Sequence, residues 1–453
     1  MIRLLTIAIL LPLSFSALAE DWPTYAHDNR RSQTTAETLT LPLAQAWVYE
    51  SPNLPQTAWT GPAKWDAYAG NDGLQSMRNF DPAFFVTAVD GEVFFGSSAT
   101  DAAHCLDAAT GAEKWVAFTD SAVRLPPTIA TGRAYFGSDD GSAYCVDAAS
   151  GEILWKFNPA PDAKRIPSNN KLVSPWPIRT GILVEGDHAY FAASLFPWEK
   201  SYLCAVDATS GEKLFVAEEQ NLTLQGALLT SSEKLYAPQG RASPIVFARD
   251  SGSRIGSVPG TGGVFCILTE DEQLIAMPQN QKSGDNVTKI ADIPGTDSNA
   301  VLSITGTERL IVAGKKAYFH QGKQLVAIDR HRAAEAQTAL SRIPSKIKAL
   351  KKQNTPEAAE EIVRLQAEIP RWSEQAKTSE LWKEKHPVPS SLIVAGPHII
   401  IGGKDLVTII DAATGRQLWA APVKGRVYGL VAANGRLFAS TDHGNIHTFA
   451  TAP

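Results

Sequence analysis

Four times in this chain the same phrase returns. Leu106-Asp107-Ala108-Ala109-Thr110-Gly111-Ala112-Glu113-Lys114-Trp115 is one copy, and Val146-Asp147-Ala148-Ala149-Ser150-Gly151-Glu152-Ile153-Leu154-Trp155 is another. A third runs from Asp207-Ala208-Thr209-Ser210-Gly211 to Phe215, and a fourth from Asp411-Ala412-Ala413-Thr414-Gly415 to Trp419. In each, the aromatic stands eight residues after the Asp. The centre of the phrase is turn chemistry: Asp and Ser/Thr bond nearby backbone, and Gly accepts positive φ. Each copy therefore predicts strand, tight turn, strand, with the aromatic always at one place on the second strand. Constant internal spacing marks a repeat architecture.

Around these phrases the chain divides into four-strand units. In the clearest copy the strands are 127–131, 133–138, 142–148 and 153–157. Units are expected at 84–117, 123–157, 172–216, 223–258, 261–293, 300–330, 390–422 and 427–450. The eighth has three strands only. Residues 44–50, with Trp47, read as a lone strand of the aromatic-bearing type. Lending it to the last unit removes an exposed sheet edge. The expected fold is all-β: an eight-bladed β-propeller over 44–453, closed by its own N-terminal strand. Trp47, Trp115, Trp155, Phe215 and Trp419 are the expected blade-docking side chains. Residues 20–43 read as an arm lying on the body, and 51–80 as a long lid or binding loop.

Residues 331–386 break the pattern. Leu340, Ile343, Ile347 and Leu350, then Ile362, Leu365, Ile369 and Trp372, step at helical spacing. Thr355-Pro356 is a helix start. An α-helical hairpin inserted in the sixth blade is predicted, a docking arm or a self-packed decoration, with Pro344 and Pro370 kinking or shortening it.

Residues 1–19 have the form of a secretory signal: Arg3, an apolar run, then Ala17-Leu18-Ala19. No Cys follows it for lipid attachment, so a periplasmic or secreted monomer is expected. Net charge is -5, which leaves no cationic excess for nucleic acid. Cys105, Cys145, Cys204 and Cys266 fall at positions too far apart to bridge, and four buried free thiols are expected.

The repeat turns share one face with the turns between first and second strands. The opposite face collects the more irregular loops, where function concentrates. Arg78, Asp81, Asp101, Arg124, Asp139, Asp140, Trp176, Arg179, Trp198, Glu199 and Arg241 lie in those loops. Converging arginines and tryptophans suit a small anionic or carbohydrate ligand; the alternative is a set of ion pairs plugging the mouth. No catalytic motif is present, and the His443/His447 pair, on a turn, does not read as a metal site.

The Ala-x-Asp-Ala-x-Thr-Gly-x-x-x-Trp phrase resembles the docking repeat of quinoprotein alcohol-dehydrogenase-like propellers. That superfamily includes pyrroloquinoline quinone (PQQ) dehydrogenases and an outer-membrane assembly propeller. Asp21-Trp22-Pro23-Thr24-Tyr25, Phe95-Gly96-Ser97-Ser98, Ser138-Asp139-Asp140-Gly141, Ser174 to Gly181 and Ser440-Thr441-Asp442-His443-Gly444 are similar to exported PQQ-repeat proteins of planctomycete-type bacteria. The resemblance implies the eight-bladed fold. It leaves open a non-catalytic scaffold for an envelope protein, requiring no cofactor or metal, or a PQQ- and calcium-dependent alcohol or sugar dehydrogenase. A polysaccharide binder using Trp176 and Trp198 is the third reading. No two Cys are adjacent, which departs from the vicinal disulfide of many quinone enzymes.

Overall fold

The computed structural model describes residues 20–59, 80–240, 242–258, 261–278, 287–292 and 300–452. Among them lie eight antiparallel four-stranded blades, taken in chain order. Blade 1 is Val86–Val89, Glu92–Ser97, Ala102–Asp107 and Glu113–Phe118. Blades 2 to 6 occupy 128–157, 183–219, 229–257, 261–305 and 307–385. Blades 7 and 8 share one long strand, Gln417–Ala433, which is outer in blade 7 and inner in blade 8. Leu43–Glu50 completes blade 8, pairing antiparallel with Asn445–Thr451 from Leu43↔Thr451 to Glu50↔Asn445. The expected closure is therefore present. Apolar side chains are buried between consecutive blades rather than in one centre, as Phe94, Trp115, Phe136 and Val146 are between blades 1 and 2.

Where the repeat phrase occurs, it fastens the seam between blades. The Oδ1 of Asp107 accepts from the amides of Ala109 and Thr110 and the hydroxyl of Thr110, at 2.8–3.0 Å. Asp147, Asp207 and Asp411 repeat the pattern. Hydroxyl and amide donors hold these four carboxyls below the usual range. The indole N–H of each docking tryptophan then donates to the next blade's turn. Trp47 reaches the carbonyl of Ala108, Trp115 that of Ala148 and Trp155 that of Ala208, at 2.9–3.0 Å. Trp419 reaches Leu43, the start of the closing strand, at 2.9 Å. The turn glycine is required twice over. Gly151 has φ of 74°, and a Cβ there would stand 2.6 Å from the Trp115 ring. Gly211 meets Trp155 in the same way, and Gly252 meets Phe215.

Blades 5 and 6 differ from the expected boundaries. Ala300–Thr305 is the outer strand of blade 5, not the first of blade 6, which begins at Thr307–Ala313. The outer strand of blade 6 is Glu380–Lys385, inside the range expected to be helical. Two helices, α1 (Arg330–Lys351) and α2 (Pro356–Thr378), separate it from the third strand. They occupy the place of the repeat turn. Asp329 caps α1 with the bonds its counterparts use, Oδ1 accepting from the amides two and three residues on, at 3.1 Å. Its own amide donates to Ser379, as that of Asp147 does to Glu152. Three residues beyond Ser379 stands Trp382, which donates to Ala412 at 3.1 Å. Pro344 and Pro370 lie within continuous helices and do not shorten them. Each removes one backbone bond, and Ile343 and Leu365 are buried on the two helices.

The N-terminal arm does more than lie on the body. Its backbone bonds to the inner strands of blades 1, 2, 4, 5 and 7, Trp22 to Ala88, Pro23 to Ile129, Asn29 to Thr230, Arg30 to Leu268 and Gln33 to Val394. Trp22 is 1% and Arg31 2% exposed. Arg31 donates to the carbonyls of Leu228, Tyr25 and Asp28 and to the Thr24 hydroxyl. These strand ends lead into the turns between first and second strands, so the arm stoppers the axis on the repeat-turn face. All four cysteines are free and buried, as expected.

Candidate functional site at the propeller mouth

On the opposite face the entries of the inner strands bring four of the expected residues together. Asp81 precedes blade 1, Arg124 precedes blade 2, Arg179 precedes blade 3, and Asp139 lies in the second-to-third turn of blade 2. Arg124 Nε donates to Asp139 at 2.7 Å, and its Nη1 to Asp81 and, at 2.8 Å, to the carbonyl of Gln56. Arg179 grips Asp139 through two nitrogens at 2.8 and 2.9 Å. Asp81 also accepts from the Ala58 amide. None of the four is more than 6% exposed. Burial would raise the Asp139 carboxyl, but the two guanidiniums outweigh it and hold it at about 2. Burial likewise opposes the charge on Arg124, and Asp139 and Asp81 more than restore it.

Two segments cover this network. In 51–59, Gln56 bonds to Ser98, and Trp59 stacks over the Arg179 guanidinium at 5.4 Å. The other is a small hairpin, Ile166–Ser168 with Lys171–Val173, turned by Asn169 and Asn170 at φ of 48° and 65°. Asn169 donates to Thr57 and Ala58, and Lys171 to Asp101 at 2.5 Å. Sequence reasoning held Trp59 inside its lid loop but had no signal for this contact, which depends on how far the loop folds back.

The other candidates do not join. Asp140 is buried in blade 2, bonded to Ser142 and Tyr144. Trp176 is no ligand platform: it is 4% exposed, its indole donates to Lys200, and it packs edge-on to Tyr202. Its tight Pro-flanked loop drives it into the seam. Trp198 is 74% exposed, stacked on Phe196, with Glu199 beside it. Arg78 and Arg241 lie outside the described residues.

A calcium–quinone pair needs carboxylates with free lone pairs and an unengaged Arg. Asp81 is engaged by Arg124 and the Ala58 amide, and Asp139 by Arg124 and Arg179. Among the described residues, no three His, Cys, Asp or Glu side chains gather as cation ligands, and His447 accepts from the Lys424 amide. The described part of the mouth does not fit that pair.

The family model described as outer membrane protein assembly factor BamB, a PQQ-repeat model, matches residues 57–174 and 371–452. No curated protein matches the chain at the level of sequence. Among solved structures, the quinohemoprotein alcohol dehydrogenase of Comamonas testosteroni is similar at 13% identity and a TM-score of 0.58, covering 96% of this chain and 81% of that one. A europium-containing methanol dehydrogenase gives 11% and 0.58, over 95% and 98%. The computationally designed Ika8 protein gives 10% and 0.55, over 82% and 96%. No described helix is long and apolar enough to cross a membrane. The family model thus matches two segments of the chain, and the solved structures share its propeller fold.

Proposed function

We propose that this chain is an exported, non-catalytic propeller of the cell envelope that works as a binding or protein-interaction scaffold, as a monomer without PQQ or calcium. One observation carries the reading: the charged groups that would bind a cofactor at the mouth, Arg124, Arg179, Asp81 and Asp139, neutralise one another in a buried network under two covering segments. A buried pair of this kind is costly to break, so it suits a rigid frame better than a site that exchanges ligand. The match to the BamB model is in keeping with assembly work, and the narrower likeness to planctomycete-type exported proteins is part of the same proposal.

The second reading, a PQQ- and calcium-dependent dehydrogenase, draws on the likeness of fold to the two alcohol-oxidising enzymes. Titration of the purified chain with PQQ and Ca²⁺, followed by quinone absorbance and by dye reduction with an alcohol panel, separates the two. The scaffold reading expects no saturable binding at micromolar PQQ and no dye reduction; turnover with any alcohol would overturn it.

A further inference from the structure

Two seams lack the docking aromatic used elsewhere, the one after blade 4, where Gly256 holds its place, and the one between blades 5 and 6, which alone of the two faces the helical insertion. The docking aromatic occupies one defined register position, opposite the residue two before the repeat Asp and just past a bulge. Trp155 pairs there with Cys145, Trp115 with Cys105 and Trp382 with Ala327. In blade 5 the equivalent pair is Ile290 with Leu302. Leu302 is buried against blade 6, in a cluster with Val312 and Ile328. It is far smaller than an indole. On the other side of the seam, helix α1 replaces the turn whose glycine would meet that indole.

A cleft of about 460 Å³ opens at this point, within the range of small-molecule sites. Leu302, Ala334, Ala339 and the half-buried Trp372 ring supply apolar walls. Arg330 is fully engaged with Gln273, Asp271 and the Gly314 carbonyl. His331 and Arg342 line the same cleft, and among the described residues neither side chain has a hydrogen-bond or ion-pair partner. The one carboxylate of the lining, Glu335, already accepts from Gln375. An aromatic-sized space with an unengaged guanidinium at its edge takes a flat ring bearing an anion.

We infer that the blade 5–blade 6 seam, widened by the helical insertion, binds a planar aromatic carboxylate of about indole size, its ring between Leu302 and Trp372 and its carboxylate toward Arg342. The site is separate from the mouth, and its test does not depend on the scaffold reading. Ligand-observed NMR with indole-3-carboxylate on the whole chain is the measurement. Saturable binding is expected, weakened about tenfold in R342A through loss of a charge-assisted bond. L302W, which places an indole in the seam, should abolish binding while leaving the melting temperature unchanged or higher. Binding unaltered in both variants, or none to the unmodified chain, would overturn the inference. Should L302W fail to fold, R342A on the exposed helix alone decides.

Discussion

Asp139 is the residue on which the mouth depends, since it is the carboxylate shared by two buried guanidiniums. Replacing it with Asn leaves Arg124 and Arg179 without their common partner. Breaking a buried pair from one side costs about 3–5 kcal/mol, so D139N should show a clearly lower denaturation midpoint at neutral pH; an unchanged midpoint would refute the network's role. The pH sign follows from the depressed carboxyl. Its folded value of about 2 lies below the unfolded value of about 3.9. Its contribution, roughly 2 kcal/mol, is complete above about pH 5 and is lost progressively as pH falls through 2. Melts at pH 7, 4 and 2.5 should show that loss in the native chain and much less of it in D139N. The thiols offer a second check. Burial pushes Cys105, Cys145 and Cys266 up to about 12 and raises Cys204 as well. A thiol reagent at pH 8 should label none in the native chain and all four after unfolding; rapid native labelling would contradict the packing.

At the scale of elements, the helical insertion is a turn grown into an arm. Because Asp329, Ser379 and Trp382 keep the spacing and bonds of the repeat, α1 and α2 should be dispensable to the blade. Replacing 330–378 with Ala-Ala-Thr-Gly should leave a folded chain whose melting temperature moves by a few degrees. W382A in the full chain should cost about 3 kcal/mol, as loss of a large packed aromatic does. A collapse of the first variant with tolerance of the second would reverse this view. The same elements explain what sequence could and could not disclose. Blades 1, 2, 3 and 7 were legible because Asp, Gly and the aromatic stand at fixed offsets. Blade 6 was misread because the helices separate Asp329 from Trp382, although Ser379-Glu380-Leu381-Trp382 matches Glu152-Ile153-Leu154-Trp155 in spacing and in its final Leu-Trp. Blade 5 was misread because Leu302 carries no aromatic signal. The residue types of the mouth were legible, but their mutual pairing was not, since it depends on loops from three blades meeting.

For the whole molecule, closure rests on two segments from the same end of the chain. The arm caps the inner strands on the repeat-turn face, and Leu43–Glu50 completes the last blade. They are separable by truncation. Removing 20–39 should leave a compact chain with a lower melting temperature, because Trp22 and Arg31 are lost. Removing 20–50 should leave blade 8 with an open edge beside blade 1 and yield aggregated protein. Size-exclusion and circular dichroism distinguish the outcomes, and a compact product from the longer truncation would show that the ring does not need its clasp.

That clasp also sets an order of events. Leu43 meets Thr451 and receives the Trp419 indole across 376 residues. Leu43–Glu50 must therefore stay unpaired until Asn445–Thr451 has been made, and the whole stretch between them must close into a loop before the final seam can form. Such distant pairing is slow, so newly made molecules pass through an unsealed interval. A nonsense mutation near the end would strand them in it.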